Sequence, residues 1–252
     1  MSTPDITAII TGHREGLLAG PSLHSFWAAI ARAREAGLVV ETIAVLDRAD
    51  AITRAIFAEQ PHEELLVLEC DGGDPALSRG MGVARATGAH IALLDADDLW
   101  SENWLVAAHR FVAGSPRPVI AHSEMNIVFG HFRAVWWHAD SEAAGFDIDF
   151  QRIGNYWDAL CLARREVFLA HGFRPNDIKG GYGHEDWHWN NVTLAAGIAH
   201  RPVPGTVHFK RRRENSQMAM CDKGDVVVSP NPVTAYDIRS YPPKVNASYK
   251  TV

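Results

Sequence analysis

The stretch "SRGMGVARATGAHIALLDADDLW" (residues 78–100) decides how the chain is read. Within it the apolar run Ala89–Leu94 passes straight into Asp95, Ala96, Asp97 and Asp98, and a new helical pattern begins soon after. That order describes a buried strand whose carboxyl end carries an acidic turn. In an open parallel sheet, ligands bind at the carboxyl ends of strands. Three carboxylates within four residues repel one another, so the turn calls for a compensating cation. Oxygen ligands of this kind suit Mg²⁺ or Mn²⁺ shared with substrate phosphates and waters. The alternative is a polar, helix-capping loop.

Working outward, three more short apolar runs, Ile6–Thr11, Val39–Leu46 and Leu65–Leu68, alternate with amphipathic stretches. This β-α-β-α rhythm predicts a largely parallel sheet flanked by helices. Pro21–Gly37 places Leu23, Phe26, Trp27 and Ile30 on one helical face, with Pro21 near its start and Gly37 at its end. Helices are also expected over 50–60, 77–88 and 101–114, the last capped by Ser101. Beyond "SPRP" (115–118) the rhythm loosens. It holds an aromatic-rich stretch at 129–138, a strand over 159–163, and helices over 165–171 and 185–196. The last thirty or so residues are rich in Pro and turn formers and read as an extended arm or partly disordered tail.

The 252 residues are 47% hydrophobic and 21% charged, which allows one large domain or two small ones. A net charge of −6 gives no global field for nucleic acid or an anionic membrane, so nucleic acid is set aside as a partner. Cys70, Cys161 and Cys221 are odd in number and widely spaced, so neither a disulfide framework nor a thiolate zinc site is indicated. A reducing cytoplasm is the expected setting. Charges interrupt every apolar run well before the ~18 residues of a membrane span, and peripheral attachment to the inner face of a membrane stays open. The sequence does not set the oligomeric state; a homodimer is compatible with it.

The opening stretch resembles the central signature of the family 2 glycosyltransferases of the GT-A fold. Ser78, Arg79, Gly80 and Gly82 stand at the family's first element, Ala86 and Gly88 at its Ala-x-Gly turn, and Asp95, Asp97 and Asp98 at its Asp-x-Asp-Asp cluster. The likeness runs over roughly residues 4 to 216. "ITAIITGHRE" resembles the first strand and the loop that cradles the base, "ETIAVLDRAD" the second strand, "LCLARREVFLAHGFRPN" the strand and helix that precede the catalytic acid, and "VHFKRRRENSQM" a basic segment closing over the diphosphate. The departures are Gly80 where the family usually has Asn, "TGHRE" in place of Pro-x-Tyr-Asn-Arg, and Leu46-Asp47-Arg48 in place of a double Asp.

The resemblance implies that Asp97 ligates a Mn²⁺ or Mg²⁺ ion bridging a nucleotide diphosphate, with Asp95 near the ribose or metal shell. It also implies that Arg79 helps hold the nucleotide and that Asp47 approaches the base. His208 is a further candidate for the metal shell. Thr11, His13 and Arg14 at the end of the first strand, and Lys210, Arg211 and Arg213 (with Arg212) on a mobile segment, are candidates for nucleotide contact.

One stretch competes for attention. "GGYGHEDWHWNN" (180–191) contains His184 and His188 in the H-E-x-x-H spacing of zinc proteases. That chemistry needs both His within one helix and a third ligand downstream. Gly180, Gly181 and Gly183 put His184 at a loop-to-helix junction, and the position six residues after His188 is Leu194. The competing reading takes Glu185-Asp186 as the family's Glu-Asp pair at a helix start. Inverting transfer needs a carboxylate to remove the acceptor hydroxyl proton, and Asp186 is the candidate base, with Glu185 beside it. A helix N-terminus would favour its ionised form. Trp187, Trp189, Trp136 and Trp137 are candidates for an acceptor platform, against the plainer reading of core or lid packing.

The expectation is therefore an α/β, GT-A-like single domain over 1–221. Its nucleotide-sugar half spans 1–114, its acceptor half spans 115–221, and a C-terminal arm follows over 222–252. Its activity would be metal-dependent inverting transfer from a UDP- or GDP-sugar to a saccharide, lipid-linked or other hydroxyl acceptor. A nucleotidyltransferase and a catalytically silent nucleotide-sugar-binding protein are the alternatives, and "TGHREGLLAG" is only a faint version of the phosphate loop the first of these needs.

Overall fold

The computed structural model describes residues 3–61, 64–214 and 216–235. Its elements are β1 (Ile6–Gly12), α1 (Ala19–Glu35), β2 (Val40–Asp47), α2 (Ala51–Ala58), β3 (Leu65–Cys70), α3 (Pro75–Arg85), β4 (His90–Asp95), β5 (Leu99–Trp100) and α4 (Trp104–Ala113). The second half adds β6 (Val119–Gly130), β7 (Ala134–Trp137), α5 (Ile148–Ile153), β8 (Cys161–Arg164), α6 (Arg165–Ala170), β9 (Tyr182–Gly183), α7 (Glu185–Ala195), β10 (Ala199–Arg212), α8 (Gln217–Lys223) and β11 (Val227–Val228).

The main sheet runs β3-β2-β1-β4-β8-β6-β10-β5, with β7 also paired to β6. Strands β1 to β4 are mutually parallel, as are β6 and β10, while β8, β7 and β5 join antiparallel. The strand order reverses between β1 and β4, so the crevice that takes ligands in such sheets opens at their carboxyl ends, where Thr11 pairs with Asp95.

Both faces of the sheet are covered, which is why its central strands are nearly continuous apolar runs. Ile6, Ala8 and Ile10 of β1 pack with Phe26, Ile30, Trp104 and Leu105 of α1 and α4 on one face. Ile9, Val45 and Leu93 pack with Val83, Phe168 and Trp189 of α3, α6 and α7 on the other. Pro75 opens α3 and the Asp74 side chain accepts from Ala76 N. At Gly88 a Cβ would come within 2.6 Å of the Thr7 backbone nitrogen, so only glycine lets the chain enter β4 so close to β1.

Two local expectations change. Ser101 does not cap α4: Asn103 stands at the cap position, and the Ser101 hydroxyl accepts from Val207 N of β10. The basic stretch expected as a mobile segment is, over 207–212, part of β10, locked in register against β6. Helix α8 follows over Gln217–Lys223. From there the chain continues as β11, which pairs with β9, and Ser229, Asn231 and Val233 are buried. The arm beyond Ala235 lies outside the described residues. Cys70, Cys161 and Cys221 are free thiols. Among the described residues no helix is long and apolar enough to cross a membrane.

Candidate active site

A cleft of about 740 Å³ opens where the topology places it. Its lining comes from the end of β1 (Thr11 to Glu15), Asp47 at the end of β2, the start of α3, the acidic turn after β4, the loop before β8, the start of α7 and the end of β10.

The acidic turn is neutralised by three protein cations, one for each carboxylate. Arg79 of α3 donates through Nη2 to both oxygens of Asp95 at 3.0 Å, and the Thr11 hydroxyl donates to Asp95 Oδ1 at 3.0 Å. Arg213 Nε lies 2.7 Å from Asp97 Oδ2. Lys210 Nζ lies 2.8 Å from Asp98 Oδ2, and Arg211 N donates to Asp98 Oδ1 at 2.6 Å. Burial opposes ionisation of Asp95, yet Arg79 and Lys210 hold its carboxyl below the usual carboxylate range. Asp97 goes the other way, pushed up first by burial and then by Asp95 and Glu15, despite the nearby Arg213.

Arg79 is only 4% exposed, and its other arm, Nη1, donates to Glu185 Oε1 at 2.8 Å. One guanidinium thus joins the turn after β4 to the first residue of α7. Glu185 Oε2 accepts from Asn176 Nδ2 at 3.0 Å, and Asn176 donates to Asp74 Oδ2 from both its backbone and its side chain. Asp47, in turn, accepts from Gly73 N, Asp74 N and the Ser78 hydroxyl at 2.9–3.0 Å. The network runs without a gap from the end of β2 to α7. Arg79, expected at the nucleotide, has both arms engaged by protein carboxylates, and the Asp47 carboxylate is occupied with the loop that starts α3.

Asp186 lies beside this network on the cleft wall. Burial, then the neighbouring Glu185, push its carboxyl up to about 7, and Arg79 and Lys210 only partly offset them. The helix N-terminus, which the sequence suggested would favour the ionised form, does not dominate. A carboxyl poised near neutral pH is what general-base work requires.

His184 caps α7 in the left-handed conformation (φ 60°), outside the helix that carries His188. His184 lines the cleft and His188 does not. Among the described residues the pair does not join a three-ligand group. His208 is also absent from the cleft: it is fully buried, its ring packs edge-on against Trp104 at 4.5 Å, and burial pulls its pKa down to about 3.

His13, Arg14 and Arg211 to Arg213 line the cleft, and the four tryptophans divide. Trp136 and Trp187 face the cleft, whereas Trp189 is fully buried, stacked on Phe168 and Phe173, and Trp137 is 61% exposed. Sequence reading missed Glu15, Asp74, Asp158 and Asn176. Glu15 accepts from His13 N and approaches Arg213, and Asp158 lies 3.7 Å from Lys210. Asp74 carried a signal, since Asp followed by Pro marks a helix start; the neighbourhoods of the other three carry no periodic or spacing signal.

Solved structures share this architecture. The chain resembles a mannosyltransferase, PcManGT from Pyrobaculum calidifontis, in complex with GDP-Man and Mn²⁺, with a TM-score of 0.59 and 15% identity over 87% of the chain and 60% of that protein. It also resembles TarS 1-349 of S. aureus, with a TM-score of 0.56 and 16% identity over 82% of the chain and 60% of that one. The same protein in complex with UDP-GlcNAc matches with a TM-score of 0.55 and 15% identity, over 84% and 60%. The chain thus spans about 60% of the length of these structures. No curated protein matches it. The family model "Glycosyl transferase family 2" matches residues 8–172, well over half of the sequence and including the acidic turn and Arg79, and the chain belongs to that family.

Proposed function

We propose that the protein transfers a sugar from a nucleotide-diphosphate sugar to an acceptor hydroxyl with inversion, Asp186 acting as the general base. The observation that carries this reading is the Arg79 bridge, which fixes Asp95 and Glu185, and through them the acidic turn and the start of α7, around one cleft. The end of β1 and Asp47 would border the nucleoside, and Arg211 and Arg213 the diphosphate. Asp186 would take the acceptor proton as the acceptor oxygen attacks the anomeric carbon and the nucleoside diphosphate departs. Trp136 and Trp187 offer apolar faces to the acceptor.

The donor set fits a hard divalent cation. Asp97 presents a carboxylate to the cleft, and its counter-ion Arg213 comes from the chain just beyond β10, so one side chain must give way for an ion to enter. Asp95 has both oxygens on Arg79, which leaves Asp97 as the principal ligand and Asp95 as its support. A bound Mn²⁺ or Mg²⁺ would offset the negative charge that develops on the departing diphosphate. The GDP-Man, Mn²⁺ and UDP-GlcNAc complexes of the similar structures support a nucleotide-sugar donor and a divalent ion here. The nucleotidyltransferase alternative gains no support from the loop after β1, which bends through Glu15 and a single 3₁₀ turn at Gly16–Leu18.

The test is Asp186→Asn, assayed with UDP- and GDP-sugars for nucleotide release and followed in parallel for nucleotide binding. Turnover should fall by roughly 10²-fold or more while nucleotide affinity stays within a few-fold. Wild-type turnover in the variant would remove Asp186 from the reaction. Absence of turnover in both proteins, with binding intact, would leave a binding protein instead.

A further inference from the structure

Behind the cleft wall the fold gathers histidines that the mechanism does not use. His122 of β6, His138 just after β7, His200 and His208 of β10, and Asp158 before β8 are all buried. A ligand atom from each of His122, His138 and Asp158 lies within 4.8 Å of the others.

A chain of hydrogen bonds links two of them. The Thr193 hydroxyl lies 2.8 Å from the Trp189 carbonyl, 3.1 Å from the Asn190 carbonyl and 2.9 Å from His200 Nε2. His200 Nδ1 in turn lies 3.0 Å from His122 Nε2. When the Thr193 proton is on a carbonyl, His200 Nε2 and His122 Nε2 donate along this chain and His122 Nδ1 is unprotonated; in either direction of the chain that nitrogen is buried and has no hydrogen-bond partner among the described residues. His138 Nδ1 donates to the Ser123 carbonyl at 2.8 Å, so its Nε2 is an acceptor, facing Asn126 Nδ2 at a long 3.4 Å. Asp158 accepts from Leu160 N at 3.0 Å and Asn126 Nδ2 at 2.8 Å. Lys210 stands 3.7 Å away but is committed to Asp98 at 2.8 Å. Buried polar atoms are almost always satisfied, so an orphan nitrogen beside an imidazole acceptor and a carboxylate requires an explanation.

We infer that His122, His138 and Asp158 form a second, buried site for a borderline divalent ion such as Zn²⁺, separate from the oxygen-lined site at Asp97. Two neutral imidazoles and one carboxylate are a zinc-type donor set rather than a magnesium one. Each histidine already has its other ring nitrogen oriented by a hydrogen bond, as metal-ligating histidines do. An ion centred among donors 4.8 Å apart would sit about 2.8 Å from each, so sub-ångström shifts bring it to the ~2.0–2.2 Å of zinc bonds. The ion would pin the chain after β7 and the loop before β8 onto β6. Trp136 of β7, two residues before His138, and Asn155 in the loop before β8 line the cleft, so the site would brace the acceptor wall.

The experiment uses full-length Asp97→Asn protein, stripped with chelator, so that the cleft ion does not contribute. Titration calorimetry should show one equivalent of Zn²⁺ bound, Co²⁺ should give visible d–d bands, and zinc-edge X-ray absorption should show two imidazoles in the shell. His138→Gln should weaken Zn²⁺ binding by roughly a hundredfold or more, beyond the loss seen on removing an outer-shell partner. No saturable Zn²⁺ or Co²⁺ binding, or a shell without imidazole, overturns the proposal. Unchanged affinity in a folded His138→Gln protein does so too. If that variant does not fold, the absorption result on the parent protein decides.

Discussion

Replacing Arg79 by Met is the most revealing single perturbation. The guanidinium is 4% exposed and contacts Asp95 at 3.0 Å and Glu185 at 2.8 Å. Met fills similar volume but leaves two carboxylates, plus the nearby Asp186, without their shared cation. Breaking a buried pair by removing one partner costs about 3–5 kcal/mol. The lower end is expected here, because Thr11 still donates to Asp95 and Asn176 to Glu185. The pH dependence gives the claim its signature. In the wild type the Asp95 pKa is depressed, so its stabilisation is present above the unfolded value and is lost as pH falls through the folded one. In the variant the carboxylates become reluctant to ionise. Their penalty is then full above neutrality and fades as they protonate toward pH ~4, near the unfolded carboxylate pKa. Urea unfolding should therefore show the wild-type-to-variant gap largest at pH 8 and much reduced near pH 5. Arg79→Lys keeps the charge but cannot reach both partners, and should fall between. A gap under about 1 kcal/mol, or one that does not change with pH, would refute the reasoning.

The turnover of the wild type should rise with pH through about 7 as Asp186 loses its proton, and a flat profile from pH 5.5 to 8.5 would contradict its assignment as base. For the same reason Asp186→Asn should unfold at higher temperature than wild type at pH 8 and lose that advantage as pH falls toward ~4, since the amide removes a reluctant charge. Trp189→Ala, in the stacked cluster with Phe168 and Phe173, should destabilise by about 3–5 kcal/mol, whereas Trp137→Ala at 61% exposure should stay within about 0.5 kcal/mol in denaturant titration. Asp47→Asn turns one of two acceptor oxygens into a donor, so either Gly73 N or the Asp74 N and Ser78 pair loses its acceptor, and should cost about 1–3 kcal/mol while weakening nucleotide binding measured by calorimetry.

The first half of the fold was legible because β1, β2 and β4 are buried on both faces and read as apolar runs, and Asp50 marks the start of α2; the expected start of α3 at residue 77 falls two residues late, because its Asp74 cap and Pro75 went unread. The second half was obscured by the same residues that make it distinctive. Strand β6 carries buried His122, Ser123 and Asn126, which bond to one another or to distant partners, and this erases the alternation of apolar and polar positions. Strand β10 contains Pro202, Pro204 and Gly205 around a register shift between Val203 and Val207, so it resembles a loop. The Ser101 cap failed because its hydroxyl is claimed by Val207, a partner 106 residues away. The acidic turn and Glu185-Asp186 were visible as motifs, but their neutralisation was not. Only the fold brings Arg79 and Lys210 between them. The tryptophans could have been sorted in advance, since positions two apart on a helix and adjacent positions on a strand face opposite ways.

The central claim is that the cleft at the ends of β1 and β4 holds a nucleoside diphosphate through a metal on Asp97. Calorimetric titration of UDP and GDP into the wild type and Asp97→Asn, with Mn²⁺, with Mg²⁺ and with chelator, tests it most directly. Saturable binding of one nucleotide by the wild type, dependent on the metal and weakened at least about tenfold by the substitution, is the predicted result, a loss of ~1.4 kcal/mol or more. Failure of both nucleotides to bind with either metal, or equal binding by the two proteins, would contradict the account.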